Sequence, residues 1–234
     1  MNVRRFLSKL KASYYIVTAK SRASFAQVGE DSILYFLFNS VGINKISYLD
    51  IGANSPVVGN NTYAFYLSGS RGVCIEPDPT LFKKLKSVRK KDTCLNMGIG
   101  FNEESAADFY IFKTTGWNTF SKEEAELRRA SGAQYEKVIQ VPLKNINTII
   151  PQYFTTAPDL ISIDVEGLDL DILQSLDFGK FSPKVLLVET LRFGATDKAE
   201  KQQAIIDLIL SKGYFIYADT YVNTIFCKNN FFTK

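Results

Sequence analysis

The 234-residue sequence predicts a doubly wound α/β fold built on a mostly parallel sheet. Short apolar runs alternate with amphipathic stretches along most of the chain. The runs are continuously apolar, as central strands covered on both faces must be. A third observation is chemical: four of these runs end in a carboxylate, Asp50 after "ISYL", Glu76 after "GVCI", Asp164 after "LISI" and Glu189 after "KVLLV". Ligands of open α/β sheets gather beyond the carboxyl ends of the strands, so the four acids predict an acid-rimmed crevice there.

The elements follow in order. "SILYFLFNSVG" reads as a helix ended near Gly42, "ISYLDIG" as a strand, "NTYAFYLSG" as a helix closed by Gly69, and "GVCIEPD" as a second strand. "PTLFKKLKSVRKK" is a helix with one apolar face and six bases on the other, which reads as a solvated surface, and "TCLNMGIG" is a third strand. The rhythm then breaks. "ADFYIF" and "KVIQVPL" read as strands, and between them "GWNTFSKEEAELRRASGAQYE" carries a capping box, Ser121 with Glu124, that starts a short charged helix stopped by Gly132. Residues 101–140 are therefore expected to be an insertion over the crevice that recognises substrate. Alternation resumes with "NINTIIPQY" as a helix, "DLISIDVEG" as a strand, a helix from Leu168 to about Leu176, the strand "KVLLVET" and a long helix "KAEKQQAIIDLILSKG". "YFIYADTYVNTIFCK" reads as two strands around a tight loop, an antiparallel C-terminal hairpin.

Composition narrows the chemistry. The chain has no histidine, which removes Ser-His-Asp and Cys-His triads, His-ligated zinc and histidine general bases together. Proton transfer has to use a carboxylate, lysine, tyrosine or water. The net charge of +4 is uneven, because Arg4, Arg5, Lys9, Lys11, Lys20 and Arg22 all precede the first acid, Glu30. Residues 1–24 read as a basic arm that could touch anionic lipid, with a solvated helix as the simpler reading, and residues 25–234 as one domain. No secretory signal and no bilayer-spanning run is expected. Cys74, Cys94 and Cys227 lie in apolar segments without metal spacing and read as reduced core residues, which fits a cytoplasmic location.

At "YLDIGANSPVVGNN" an apolar run meets an acid, a glycine and an asparagine. Gly52 lets the backbone turn sharply, Asp50 offers an acceptor for an ammonium group or water, and Asn54 tolerates an unusual backbone conformation. The stretch is not the dinucleotide fingerprint, since G-A-N-S-P-V lacks the second and third glycines, and an acid here would repel phosphate. A positively charged, phosphate-free adenosine ligand suits it better. Glu76, 24 residues beyond Gly52, stands where an acid commonly binds ribose hydroxyls, with Pro77 and Pro79 stiffening its turn.

"YLDIGAN", "GVCIEPDPTLFKKL", "LISIDVEGLDLDIL" and "KVLLVET", in that order and spacing, resemble the FkbM-type methyltransferases, a branch of the class I, Rossmann-like, S-adenosylmethionine-dependent fold. The resemblance covers about residues 25–228. It implies a seven-stranded sheet with an antiparallel last strand, S-adenosyl-L-methionine as cofactor, and O-methylation of a small-molecule or glycan hydroxyl, often on a sugar of a surface polysaccharide or on a secondary metabolite. Carried over by position, it places Asp50, Gly52, Ala53 and Asn54 at the methionine part of the cofactor, Glu76, Pro77 and Asp78 at the ribose, and Asn96 and Met97 near the adenine. "FAQVGEDSILYF" resembles a segment that precedes the first strand, whose Gln27 and Asp31 would close over the cofactor. Ser55-Pro56 and "VVGNNTY" depart from the pattern, so the rim of the methionine pocket is expected to be reshaped.

A sulfonium methyl is already electrophilic, so the enzyme's task is to align the acceptor oxygen and remove its proton. Asp164 and Glu166 of "IDVEG" are the candidate catalytic groups, with the division of labour between them open. Asp164, Glu166 and Glu189 could also hold a magnesium-like cation, although a metal is not expected. Asp169 and Asp171 read as first-turn acids favoured by the helix dipole. Trp117 reads equally as a structural plug or a sugar-stacking platform. Two competing functions stand beside methyl transfer: a nucleotide-cofactor oxidoreductase, disfavoured by the missing glycines, and a non-catalytic binding module of a glycan assembly complex. Nucleic acid is not an expected partner, since the basic helix lacks interleaved aromatics.

Overall fold

Residues 23–101, 104–193 and 199–233 are described by the computed structural model, so the basic arm up to Arg22 lies outside the described residues. Helix α1 (Glu30–Ser40) leads into a strictly alternating series: β1 (Ser47–Ile51), α2 (Tyr63–Leu67), β2 (Arg71–Ile75), α3 (Pro79–Val88) and β3 (Thr93–Leu95). The series is interrupted by β4 (Gly98–Gly100), β5 (Glu104–Phe112), α4 (Lys122–Ala130) and β6 (Tyr135–Asn145). It resumes with α5 (Ile146–Tyr153), β7 (Leu160–Ile163), α6 (Asp169–Ser175), β8 (Val185–Glu189), β9 (Leu191–Phe193), β10 (Ala199–Lys201), α7 (Gln203–Ser211), β11 (Tyr214–Asp219) and β12 (Asn223–Lys228).

The main sheet has seven strands in the order β11-β12-β8-β7-β1-β2-β3. β1 pairs in parallel with β2 and β7, and β7 with β8. The last strand, β12, runs antiparallel to both β8 and β11, as the apolar hairpin at the end of the sequence predicts. Strand order reverses at β1, with β2 and β3 following on one side and β7 and β8 on the other, and this is the switch point at which ligands of such sheets bind. Side-chain alternation divides the core between the two faces. Leu49, Ile51, Ile161, Ile163, Leu186 and Val188 pack with Ile146, Ile150, Ile172 and Ile205 of α5, α6 and α7. Tyr48, Leu160, Val185, Leu187 and Ile225 pack with Leu34, Leu37 and Phe38 of α1 and with Phe65 of α2 and Leu85 of α3. The run of apolar strands is thus covered on both sides, which is why it carries no polar alternation.

The interruption forms its own three-stranded sheet, β4-β6-β5, in which β4 pairs in parallel with the end of β6, from Gly98↔Leu143 to Gly100↔Asn145. The chain enters and leaves this sheet side by side. α4 starts as expected: the Ser121 hydroxyl accepts from the Glu124 N–H at 3.2 Å.

Two sequence expectations are corrected. "TCLNMGIG" is two strands, not one: β3 closes the edge of the main sheet and β4 starts the second sheet, with Asn96 and Met97 at the junction. The side-chain amide of Asn96 donates to the carbonyls of Glu76 and Pro77, at 2.8 and 2.9 Å, and this diverts the chain from the strand direction. The long helix expected from Lys198 begins only at Gln203, because Ala199–Lys201 pairs with Leu191–Phe193 as a small ribbon. Lys201 Nζ there reaches Asp219 and the Thr190 hydroxyl, a tertiary hold that overrides the helix propensity of its neighbours. Among the described residues no helix is long and apolar enough to cross a membrane. Cys74 and Cys227 are buried and all three cysteines are free.

Candidate active site

A cleft of about 930 Å³ opens at the carboxyl ends of β1, β2, β7 and β8 and is roofed by the inserted segment. At its centre the turn after β1 is drawn against its neighbours. Gly52 has φ +82°, and a Cβ there would stand 1.8 Å from the carbonyl oxygen of Asp164, so only glycine admits the contact between the β1 and β7 turns. The N–H groups of Gly52 and Ala53 both donate to the Ile75 carbonyl at 3.0 Å, tying the same turn to β2. Asn54 takes a left-handed conformation, φ 48°, and its N–H donates to Glu76 Oε2 at 2.7 Å. The other Glu76 oxygen accepts from the Asp78 N–H at 2.8 Å. One buried carboxyl therefore spans two motif turns, and burial pushes its pKa up to about 8.

Asp50, 4% exposed, accepts from the Thr62 hydroxyl at 2.7 Å. Burial raises its pKa, opposed by the Thr62 hydrogen bond and the positive charge of Arg89. Asn60 is buried and its amide donates to the carbonyls of Ala53 and Ser55, at 2.9 and 3.1 Å, which folds the Ser55-Pro56 departure back onto the motif turn. Next to it Asn61 lines the cleft, and its buried Oδ1 has no hydrogen-bond partner.

The turn after β7 brings three acids together: one oxygen each of Asp164, Glu166 and Glu189 lies within 4.8 Å of the others. Burial raises all three pKa values, and repulsion within the cluster adds to it at Asp164 and Glu189, taking Glu189 to about 11 and Asp164 well above the carboxylate range. A hydrogen bond between Asp164 and Glu189 opposes the rise at Asp164 and adds to it at Glu189. Glu166 is also pushed up by burial, but Arg128 of α4 opposes this and holds it to about 7. Arg128 Nη2 lies 2.6 Å from Glu166 Oε2, and the Thr119 hydroxyl donates to the Glu166 carbonyl at 2.8 Å. The insertion is thus latched to the acid-bearing turn. Asp169 accepts from the N–H groups of Val165 and Gly167, both at 3.2 Å, and braces that turn from within.

Of the residues singled out in the sequence, Asp50, Gly52, Ala53, Asn54, Glu76, Pro77, Gln27, Asp164 and Glu166 line the cleft. Four do not. Asp78 is buried as the cap of α3, accepting from the Thr80 N–H at 2.7 Å and from the Asn118 amide at 3.1 Å. Asn96 holds the Glu76 turn from behind and Met97 packs into the core, while Gly98 and Ile99 reach the cleft in their place. Asp31 ties down the preceding segment through the Ser24 hydroxyl and the Phe25 N–H, at 2.6 and 2.7 Å. Trp117 lines the cleft yet is 43% exposed, touching Phe112 edge-on. Sequence reasoning missed Arg89, Thr62, Asn61 and Arg128. The polar "GNNT" after an apolar run was a signal for two of them, whereas the arginines looked like surface charge.

A seven-stranded sheet with one antiparallel strand, its motif turns converging at the β1 switch point, defines a class I methyltransferase. Residues 50–216 match the family model described as the methyltransferase FkbM domain, and the chain belongs to that family of S-adenosylmethionine-dependent methyltransferases. Among solved structures it is similar to a methyltransferase FkbM from Methylobacillus flagellatus KT, with 16% identity and TM-score 0.47 over 79% of this chain and 44% of that one. This chain therefore spans under half the length of that relative. It is also similar to an O-methyltransferase from Bacillus cereus in complex with SAH (14% identity, TM-score 0.44, 94% and 89% covered). A third likeness is to magnesium protoporphyrin IX methyltransferase from Synechocystis PCC 6803 with bound SAM (10%, 0.43, 84% and 76%). No curated protein matches the chain.

Proposed function

We propose that the protein methylates a hydroxyl of a neutral, polyhydroxylated acceptor, a sugar unit of a polysaccharide or glycoconjugate. The observation that carries this reading is the acid cluster after β7, in which Arg128 holds Glu166 near 7 beside two carboxyls that burial and repulsion push up. A carboxylate tuned to that range is suited to take the proton of a hydroxyl at neutral pH, and the chain has no histidine to do so. Six acidic side chains, Asp50, Glu76, Glu124, Asp164, Glu166 and Glu189, line the cleft against one arginine, and those that ionise disfavour an anionic acceptor. The exposed face of Trp117 offers the acceptor an apolar platform.

The residues present fit the cofactor of the family: the orphaned Asn61 Oδ1 needs a donor, and Asp50 adds a second buried acceptor at the same wall. Asp50, Gly52, Ala53 and Asn54 would hold its amino-acid end, Glu76 its ribose, and Leu81, Gly98 and Ile99 its base. S-adenosylmethionine, when bound, supplies an electrophilic methyl group. Glu166 accepts the acceptor's hydroxyl proton, and the hydrogen-bonded pair of Asp164 and Glu189 orients the hydroxyl. Arg128 already neutralises Glu166 and competes with any cation for its oxygen, so we take the reaction to run without a metal.

The test is methyl transfer from labelled cofactor to a panel of neutral sugars, uronic acids and phenolic hydroxyls, with Glu166→Gln in parallel. The expected result is O-methylated neutral sugar and a kcat about 100-fold lower in the variant, with cofactor affinity unchanged. Transfer to nitrogen or carbon, or full kcat in Glu166→Gln, would sink the reading.

A further inference from the structure

The cofactor-binding turn stands on a buried polar network that the proposed reaction does not itself use. Arg89 is fully buried, although its neighbours Lys90 and Lys91 are exposed. Its guanidinium donates to Asp92 at 2.8 Å, to the Tyr48 hydroxyl and the Thr62 hydroxyl at 2.9 Å each, and to Asn60 Oδ1 at 3.1 Å. The rings of Tyr48, Tyr63 and Tyr66 surround it, 4.9–5.7 Å from their centroids. Every one of its described polar contacts is an acceptor, as an arginine requires.

This fixes the direction of the hydrogen bonds beyond it. Arginine only donates, so the Thr62 oxygen must accept from Arg89, and its single O–H is left to donate elsewhere. Two acceptors lie within reach, Asp50 Oδ2 at 2.7 Å and Asn60 Oδ1 at 3.2 Å. Asn60 Oδ1 already accepts from Arg89 and from the Thr62 N–H at 3.1 Å, which fills both of its lone-pair directions. The proton therefore goes to Asp50. With its Oδ1 committed, Asn60 must present its amide hydrogens to Ala53 and Ser55, so one arginine sets both the Asp50 carboxyl and the turn that follows Gly52.

We propose that Thr62, oriented by the buried Arg89, is a positioning residue that turns Asp50 to receive the ammonium group at the amino-acid end of S-adenosylmethionine. The inference rests on the cofactor reading given above. It assigns the polar "NNT" of the departure at residues 55–62 a part in binding.

Arg89→Leu is a poor probe, because it would strand Asp92 and Tyr48 without their partner. Thr62→Val keeps the shape of a fully buried side chain and removes only the hydroxyl, and Thr62→Ser restores it. Calorimetric titration uses two ligands: S-adenosylhomocysteine, and 5′-methylthioadenosine, which lacks the amino-acid end. Thr62→Val should lose about ten- to hundredfold in affinity for the first and keep its affinity for the second within about twofold, with Thr62→Ser close to wild type. Arg89→Lys, which keeps a charge beside Asp92 but cannot fork to Thr62 and Asn60, should show the same selective loss. An equal loss for both ligands would reduce Thr62 to a structural role, and unchanged affinity for S-adenosylhomocysteine would overturn the inference outright. A wild-type protein that binds neither ligand would remove the cofactor reading, and the inference with it.

Discussion

Replacing Arg128 with methionine removes the positive charge that lies 2.6 Å from Glu166 while keeping much of the side chain's apolar length. The pair is partly shielded, with side chains 17% and 27% exposed, so the arginine acts through a medium between protein and water. Two charges about 4 Å apart at an effective dielectric near 20 interact by about 4 kcal/mol, and solvent access at both ends cuts this to about 2 kcal/mol. Since about 1.4 kcal/mol corresponds to a tenfold change in the ionisation constant, the acid limb of the kcat profile should move up by about 1.5 pH units. In the wild type that limb should fall at about 7, where Arg128 holds Glu166. The ionised fraction of Glu166 at pH 7 then drops from about a half to about 3%, a kcat loss of about 15-fold, and at pH 9.5 the two enzymes converge to within about twofold. Initial rates of methyl transfer at saturating acceptor between pH 6 and 10 provide the assay. A limb that stays near 7 in the variant, or a rate loss of the same size at every pH, would refute the assignment of Glu166 as a base tuned by Arg128.

Gly52→Ala should destabilise the protein by more than about 2 kcal/mol, read as a lowered melting temperature, because the new methyl meets the Asp164 carbonyl at 1.8 Å and the residue sits at φ +82°. Trp117→Ala should leave the melting temperature within about 2 °C, as for an exposed residue, and raise the acceptor KM several-fold at unchanged cofactor affinity. Glu189 is raised in the folded state from 4.5 to about 11, so its contribution to stability is complete at acid pH and is lost as pH rises towards 11. Glu189→Gln keeps the shape of the protonated acid, and the melting temperature of the variant relative to wild type should rise steadily from pH 5 to pH 10. Chelation with EDTA should leave initial rates unchanged, and an activity restored only by a divalent ion would show that the three acids hold a metal.

The fold was readable because its strands are unbroken apolar runs and its turns carry their own punctuation. "ISYLDIG" and "LISIDVEG" announce both strand and turn, and Ser121 with Glu124 marks the start of α4 correctly. What escaped was set by tertiary contacts. The split between β3 and β4 depends on the amide of Asn96 reaching back across twenty residues to Glu76, and nothing local at "LNMGIG" reports this. Lys201 prefers helix in isolation, but its partner Asp219 lies eighteen residues away. The site divided in the same way. Strand-end acids are placed by the alternation of side chains and were named individually, whereas Arg89 sits in "SVRKK", where five lysines around it are solvated and it alone turns inward. Burial of a single arginine is decided by three tyrosines from other elements, so the local sequence carries no sign of it.

The parallel pairing of Gly98–Gly100 with Leu143–Asn145 places the two ends of the inserted segment next to each other. An excursion whose gates are already hydrogen-bonded can be exchanged as a cassette, provided that the replacement satisfies the same short ladder and keeps the Thr119 and Arg128 holds on the Glu166 turn. Transplanting residues 101–142 from another member of the family, with Thr119 and Arg128 retained, should carry its taste in acceptors with it, and unchanged acceptor preference would show that the choice is made elsewhere.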